Sequence, residues 1–172
     1  MPELLLELLS EEIPARMQVR AAEDLKRLIG EFLKKNGFEF SGIETYSTPR
    51  RLTLVVDGLP TRTPDINVEK RGPRSDAPDK AVDGFAKANR VSKRDLEIRS
   101  TDKGDFYFAV IEKKGQSTAE FVPLIVERAI FNLTWPKSMR WGNSDITWVR
   151  PLHSILVIFD GKPVKESIQL GM

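Results

Sequence analysis

Between residues 3 and 9 the side chains alternate, with Leu4, Leu6 and Leu8 on one side and Leu5, Glu7 and Leu9 on the other, and a period of two predicts a strand. Both sides are largely apolar, which places that strand inside a sheet. The period then lengthens. Ala22, Leu25, Ile29, Phe32 and Leu33 recur at helical spacing, with Pro14 suited to the first turn and Gly37 to the stop. Glu11 and Glu12 stand just ahead of this helix, where its dipole favours negative charge. Alternation returns at 43–46 and 51–56, which read as two strands around Ser47-Thr48-Pro49-Arg50. Residues 58–78 show no period and hold four prolines and two glycines, which predicts a long loop.

A short helix at 79–89 carries Val82, Phe85 and Ala86 as its apolar stripe, and residues 96–99 and 105–112 alternate as a hairpin. Ser117 to Glu120 has the capping-box pattern. Pro123 opposes it, since a proline inside a helix costs about 3 kcal/mol. The third helix is therefore expected to start near Phe121 and to reach Asn132. The apolar run at 155–159 predicts a central strand over 154–159, with 164–170 as its hairpin partner. The order β-α-β-β-α-β-β-α-β-β predicts an α+β fold, a mixed, largely antiparallel sheet with three helices packed on it. Residues 1–172 read as a single α+β domain, or a truncated part of one, with the long loop at 58–78.

Composition changes this picture little. Charged residues make up 30% and hydrophobic ones 40%, the balance of an ordinary globular chain. The absence of cysteine excludes a disulfide framework, a thiolate metal site and a cysteine nucleophile. The apolar start carries Glu3 and Glu7 and no basic leader, which argues against a signal peptide. No apolar run has the length needed to cross a bilayer, so a cytoplasmic location without membrane contact is expected.

Charge is distributed more tellingly than its total of +2. Residues 1–48 hold six Lys/Arg against nine Asp/Glu, residues 49–74 six against three, and residues 135–153 three against one. The last of these stretches also contains all three tryptophans, Trp135, Trp141 and Trp148. Such a cluster builds either the thick part of a core or a stacking platform. Arg50, Arg51, Arg71, Arg74, Lys137, Arg140 and Arg150 are the candidate contacts for RNA phosphates, with Trp141 as a candidate stacking surface; solvated charge and aromatic packing are the alternative reading of the same residues.

Parts for independent catalysis are few. His153 is the only histidine, so a site with two imidazole ligands is impossible. Ser138, Ser144 and Ser154 lie near it in sequence, but no G-x-S-x-G elbow presents any of them. Neither a G-x-x-x-x-G-K-[ST] loop nor a G-x-G-x-x-G turn occurs, so no phosphate-cradling loop is evident. Catalytic and metal-binding residues are accordingly predicted to be absent.

Several words of the sequence carry a resemblance: Leu4 to Leu8, Glu11 to Ala15, Thr48-Pro49-Arg50-Arg51-Leu52, Arg71-Gly72-Pro73, Gly84-Phe85-Ala86 and Trp135 to Gly142. In this order and at these separations the chain resembles the N-terminal part of the beta subunit of the bacterial heterotetrameric glycyl-tRNA synthetase. The resemblance implies a fold similar to the B3/B4 module of phenylalanyl-tRNA synthetase. It implies a part of an α2β2 ligase that attaches glycine to its tRNA using ATP, with this region supporting tRNA binding and subunit assembly. ATP and magnesium would act on the alpha subunit, with no cofactor in this region. The implied partners are that alpha subunit, glycine tRNA and a second beta subunit. The alternatives are an editing-type hydrolytic module, which would use His153, and a structural scaffold.

Overall fold

The computed structural model describes residues 2–142, 146–165 and 168. The chain divides into two compact units, one made of residues 1–63 with 116–172 and the other of residues 64–115.

The first unit is a five-stranded sheet with two helices on one face. Its strands are β1 (Glu3–Ser10), β2 (Gly42–Thr48), β3 (Arg51–Asp57), β7 (Leu152–Phe159) and β8 (Lys162–Pro163), in the spatial order β2-β3-β1-β7-β8. Every pairing is antiparallel. β1 is the middle strand, as its two apolar sides predict. Leu4, Leu6 and Leu8 are buried beside Leu52, Leu54 and Val56 of β3. Helix α1 (Ala15–Lys35) lays Met17, Ala21, Ala22, Leu25, Leu28, Ile29 and Leu33 onto that face. Each leucine or isoleucine removed from water in this way contributes about 1.5–3 kcal/mol before ordering costs are subtracted.

The end of α1 is fixed by its own sequence. Gly37 adopts φ +79°, Phe38 N–H donates to Leu33 O at 3.0 Å and Gly37 N–H to Lys34 O at 3.1 Å. This paired closure satisfies carbonyls that the helix leaves open. It also turns Phe38 into the core, where its ring stacks on Phe121 at 5.2 Å.

Helix α3 (Thr118–Asn132) begins earlier than Pro123 suggests. The proline is buried in the second turn. The bond it forfeits would have gone to the carbonyl of Ala119, an exposed position that water can reach. Ser117 makes no side-chain cap, so the expected capping box is not formed there; Thr118 Oγ1 instead donates to Pro60 O. The last expected hairpin is shorter than predicted. Its second strand is Lys162–Pro163, and residues 166, 167, 169 and 170 lie outside the described residues. β7 is consequently flanked fully by β1 but by β8 only at Ile158 and Phe159.

The opposite face of this sheet carries Leu5, Glu7 and Leu9 next to Arg51, Thr53 and Val55, with Leu156 and Tyr46 exposed beside them. Tyr46 donates to Glu44 Oε2 at 2.6 Å, and that bond with the neighbouring charge raises the phenol above its ordinary pKa.

The second unit occupies much of the stretch expected to be a loop. Strand β4 (Ile66–Arg74) lies within 58–78 and pairs with β6 (Gly104–Lys113), which also pairs with β5 (Leu96–Thr101). Sequence periodicity does not reveal β4 because the strand is largely exposed and therefore has no buried stripe to display. The fold class is thus α+β, with two antiparallel sheets in place of one mixed sheet.

Helix α2 (Asp79–Ala88) packs on the second sheet with Val82 and Ala86 buried. Gly72 of β4 lies directly beneath Phe85: a Cβ there would come within 2.5 Å of the ring. Two of the words singled out in the sequence, Arg71-Gly72-Pro73 and Gly84-Phe85-Ala86, are therefore one packing contact.

The insertion of the second unit is closed at its base. Within the first unit, Thr63 N–H donates to Gln116 O at 3.0 Å and Gln116 N–H to Thr63 Oγ1 at 2.8 Å; within the second, Gly115 N–H donates to Asp65 Oδ1 at 2.6 Å.

Candidate functional site

Three separated stretches meet at one end of the five-stranded sheet. Ser10 N–H donates to Arg50 O at 2.9 Å, Glu11 N–H to Pro151 O at 2.9 Å and Ile13 N–H to Pro49 O at 2.6 Å. The two-residue connection Pro49-Arg50 and the start of β7 are thereby bonded to the segment that leads from β1 into α1. Proline suits this connection because its fixed φ pre-sets a tight turn. Thr48 Oγ1 reinforces it by accepting from Arg51 N–H at 3.1 Å. The chemistry follows from this backbone geometry: Arg50, Arg51, Arg150 and His153 are presented together, all four exposed.

Carboxylates temper that positive charge. His153 Nε2 and Glu11 Oε1 are 2.6 Å apart, Arg50 Nη2 lies 4.0 Å from the same oxygen, and Arg51 Nε donates to Glu7 Oε1 at 3.2 Å. Exposed pairs of this kind are worth about 0–1 kcal/mol. They position the side chains at small energetic cost to a ligand that displaces them. Glu11, read in the sequence as a helix-end charge, serves here as the partner of His153; only contact across 142 positions of chain reveals it.

The tryptophan stretch forms a loop on the same unit. Met139 and Trp148 exchange both backbone hydrogen bonds, at 2.8 and 3.1 Å, which closes the loop between them. Trp148 is 0% exposed and packs edge-on against Trp135, with ring centroids 4.9 Å apart. Neither indole N–H meets an acceptor among the described residues. Trp141 is partly buried against the same core. Lys137 and Arg140 are exposed on the loop. Ser144 and Asp145 lie outside the described residues.

Arg71 and Arg74 belong to the second unit. The Arg71 guanidinium sits 3.7 Å from the centre of the Phe106 ring, and Arg74 Nε lies 3.4 Å from Asp76 Oδ1. Nearby, Arg99 donates to Glu69 at 2.9 Å and to Glu97 at 2.9 and 2.7 Å, bonds that raise its pKa further above the ordinary value. The stacking of Arg71 on Phe106 holds the cation over the ring face and leaves its N–H edge for other contacts.

One concavity of the first unit has no counterpart among the sequence expectations. A cavity of about 210 Å³ opens between the first turns of α1 and the start of the tryptophan loop, lined by Arg16, Met17, Arg20, Ala21, Thr134, Trp135 and Pro136. The only sequence signal for it is that α1 has no acid in its first turn and carries Arg16 and Arg20 four residues apart across its first two turns.

No group of three His, Cys, Asp or Glu among the described residues is arranged to hold a metal ion. No described helix is long and apolar enough to cross a membrane.

Residues 4–170 match the family model described as "Glycyl-tRNA synthetase beta subunit". The chain is 49% identical over 172 residues to the glycine–tRNA ligase beta subunit of Rhodospirillum centenum, covering 99% of this chain and 24% of that protein. It is 49% identical over 170 residues to the corresponding subunit of Dinoroseobacter shibae, with the same coverage of 99% and 24%. Against that of Cereibacter sphaeroides it is 45% identical over 172 residues, covering 100% of this chain and 25% of the relative. The chain thus spans about a quarter of the length of these relatives.

Proposed function

Since the chain belongs to the glycyl-tRNA synthetase beta subunit family, we propose that it forms the N-terminal region of a beta subunit whose ligase attaches glycine to its tRNA using ATP. In this reading the region supports tRNA binding and assembly with the alpha subunit, in the cytoplasm, and does not hold the aminoacylation site. The observation that carries the reading is the sheet end, where backbone hydrogen bonds from the end of β1 and the segment after it bring together the stretches that carry Arg50, Arg51, Arg150 and His153. A rim of guanidinium groups on a rigid sheet meets phosphates electrostatically, and such contacts position a nucleic acid without reading its sequence.

ATP and magnesium are assigned to the alpha subunit. The sequence of this chain carries neither of the two common phosphate-cradling glycine patterns.

The test uses the full beta subunit and glycine tRNA in a filter-binding titration at two salt concentrations. Arg50→Ala with Arg150→Ala is expected to weaken binding roughly tenfold and to reduce the salt slope by about 0.9 for each duplex phosphate no longer neutralised. Unchanged affinity and slope would remove the sheet end from the tRNA-binding surface.

A second reading is favoured by one distance, the 2.6 Å between His153 and Glu11. A carboxylate that orients an imidazole lets it take a proton from water, the step that hydrolysis of a mischarged tRNA ester requires. Deacylation of mischarged tRNA by the full subunit, abolished by His153→Ala, is its expected signature. Equal deacylation by wild type and variant would exclude His153 as the base.

A further inference from the structure

The cavity beside Trp135 has a chemistry of its own. Its about 210 Å³ lies below the roughly 300–1,000 Å³ of typical small-molecule sites, so it admits one ring system and not a whole cofactor or a base pair. The walls are of two kinds. Trp135, Pro136, Met17 and Ala21 are apolar and Thr134 is small, while Arg16 and Arg20, one helical turn apart, are the charged residues of the lining.

Arg16 and Arg20 are both exposed, and the first turn of α1 has no acidic side chain to oppose them. Arg20 pairs with Asp24 at 3.8 Å, a weak exposed contact. Two exposed cations therefore stand beside a pocket with an aromatic wall. The wall is also rigid: Trp135 is braced edge-on by the fully buried Trp148, whose backbone is locked to Met139. A braced indole loses little conformational freedom when a flat ring settles against it.

Resting on the tRNA-binding reading, we propose that this cavity receives a single unpaired nucleotide of the bound RNA, its base against Trp135 and its phosphate on Arg16 and Arg20. A base held in a duplex has both ring faces already stacked and cannot enter, so the pocket selects unpaired positions. The rim at the sheet end then engages backbone phosphates, and the pocket registers where the strand is open. These are separate contacts on one unit.

The experiment uses the full beta subunit with two probes, a short single-stranded oligoribonucleotide of mixed sequence and the same sequence annealed to its complement. The wild-type subunit is expected to bind the single strand with quenching of tryptophan fluorescence. Arg16→Ala with Arg20→Ala should weaken that binding roughly tenfold, flatten its salt slope by about 0.7 for each single-strand phosphate no longer neutralised, and leave duplex binding unchanged. Because both arginines are exposed, a matching thermal melt will show that the variant is folded. Unaltered single-strand affinity in the folded variant overturns the proposal, as does a wild-type subunit that gives no single-strand binding. Glycine tRNA measured in parallel separates the two readings. Sensitivity to Arg50 and Arg150 with indifference to Arg16 and Arg20 sinks the pocket alone, whereas wild-type subunit that fails to bind the tRNA sinks the broader reading.

Discussion

Trp148→Ala is expected to destabilise the first unit by about 3–5 kcal/mol, the cost of truncating a large buried aromatic. The side chain is 0% exposed, braces Trp135 at 4.9 Å and sits on the backbone bridge to Met139. Truncation therefore opens a cavity and removes the support of a second indole at once. Trp148→Phe separates volume from polarity. It keeps an aromatic ring in the core and deletes an N–H that meets no acceptor among the described residues. A buried donor without an acceptor costs about 1–3 kcal/mol, so its removal offsets part of the reduced packing. Urea unfolding of the two variants, followed by far-UV circular dichroism, should place Phe much nearer to wild type than Ala. If the two midpoints coincide, the indole nitrogen is bonded and the packing account is wrong.

Gly72→Val is expected to have the largest effect in the second unit. A Cβ at this position would lie 2.5, 2.6 and 2.9 Å from three carbons of the Phe85 ring. These are clash distances, so α2 must lift from β4 or the ring must turn away. Overpacking of this kind costs about 1–3 kcal/mol. In a unit this small that moves the melting temperature by several degrees or more, since about 4–8 °C accompanies each kcal/mol in domains of 60–100 residues. The cycle with Phe85→Leu makes the test specific. The valine should cost markedly less in the Phe85→Leu background than in wild type, because the rigid ring that it meets is gone. Additive costs would show that Gly72 is required for some other reason.

Legibility in the sequence follows burial. β1 and α1 are readable because each displays a buried apolar stripe of the right period to a core; the hairpin of β5 and β6 is readable from the alternation of residue types, although it buries only Phe106 and Ala109. β4 is not, since it leaves most of its side chains in water and holds Gly72 and Pro73, which read as loop signals. Pro123 misplaces the start of α3 when every forfeited backbone bond is weighed as buried, whereas the freed carbonyl belongs to an exposed residue. The charged candidates stand out by residue type, but nothing local groups them. Arg50 and Arg150 reach the same end of the sheet because β3 and β7 both flank β1, a pairing across 100 residues that no local pattern announces. Arg71 shows the reverse case: its charge is visible in the sequence, and the ring beneath it, Phe106, lies on a partner strand.

The hydrogen-bonded neck at Thr63 and Gln116 makes the second unit a graft on a scaffold whose attachment points already touch. Joining two ends that are held side by side asks almost nothing of the chain between them, and doubling the length of such an excursion adds only about 0.6 kcal/mol of closure entropy. Changes in the length or shape of this excursion are thus expected to leave the leucine-lined sheet of the first unit undisturbed. Variation in it becomes a low-risk way to alter what the subunit touches.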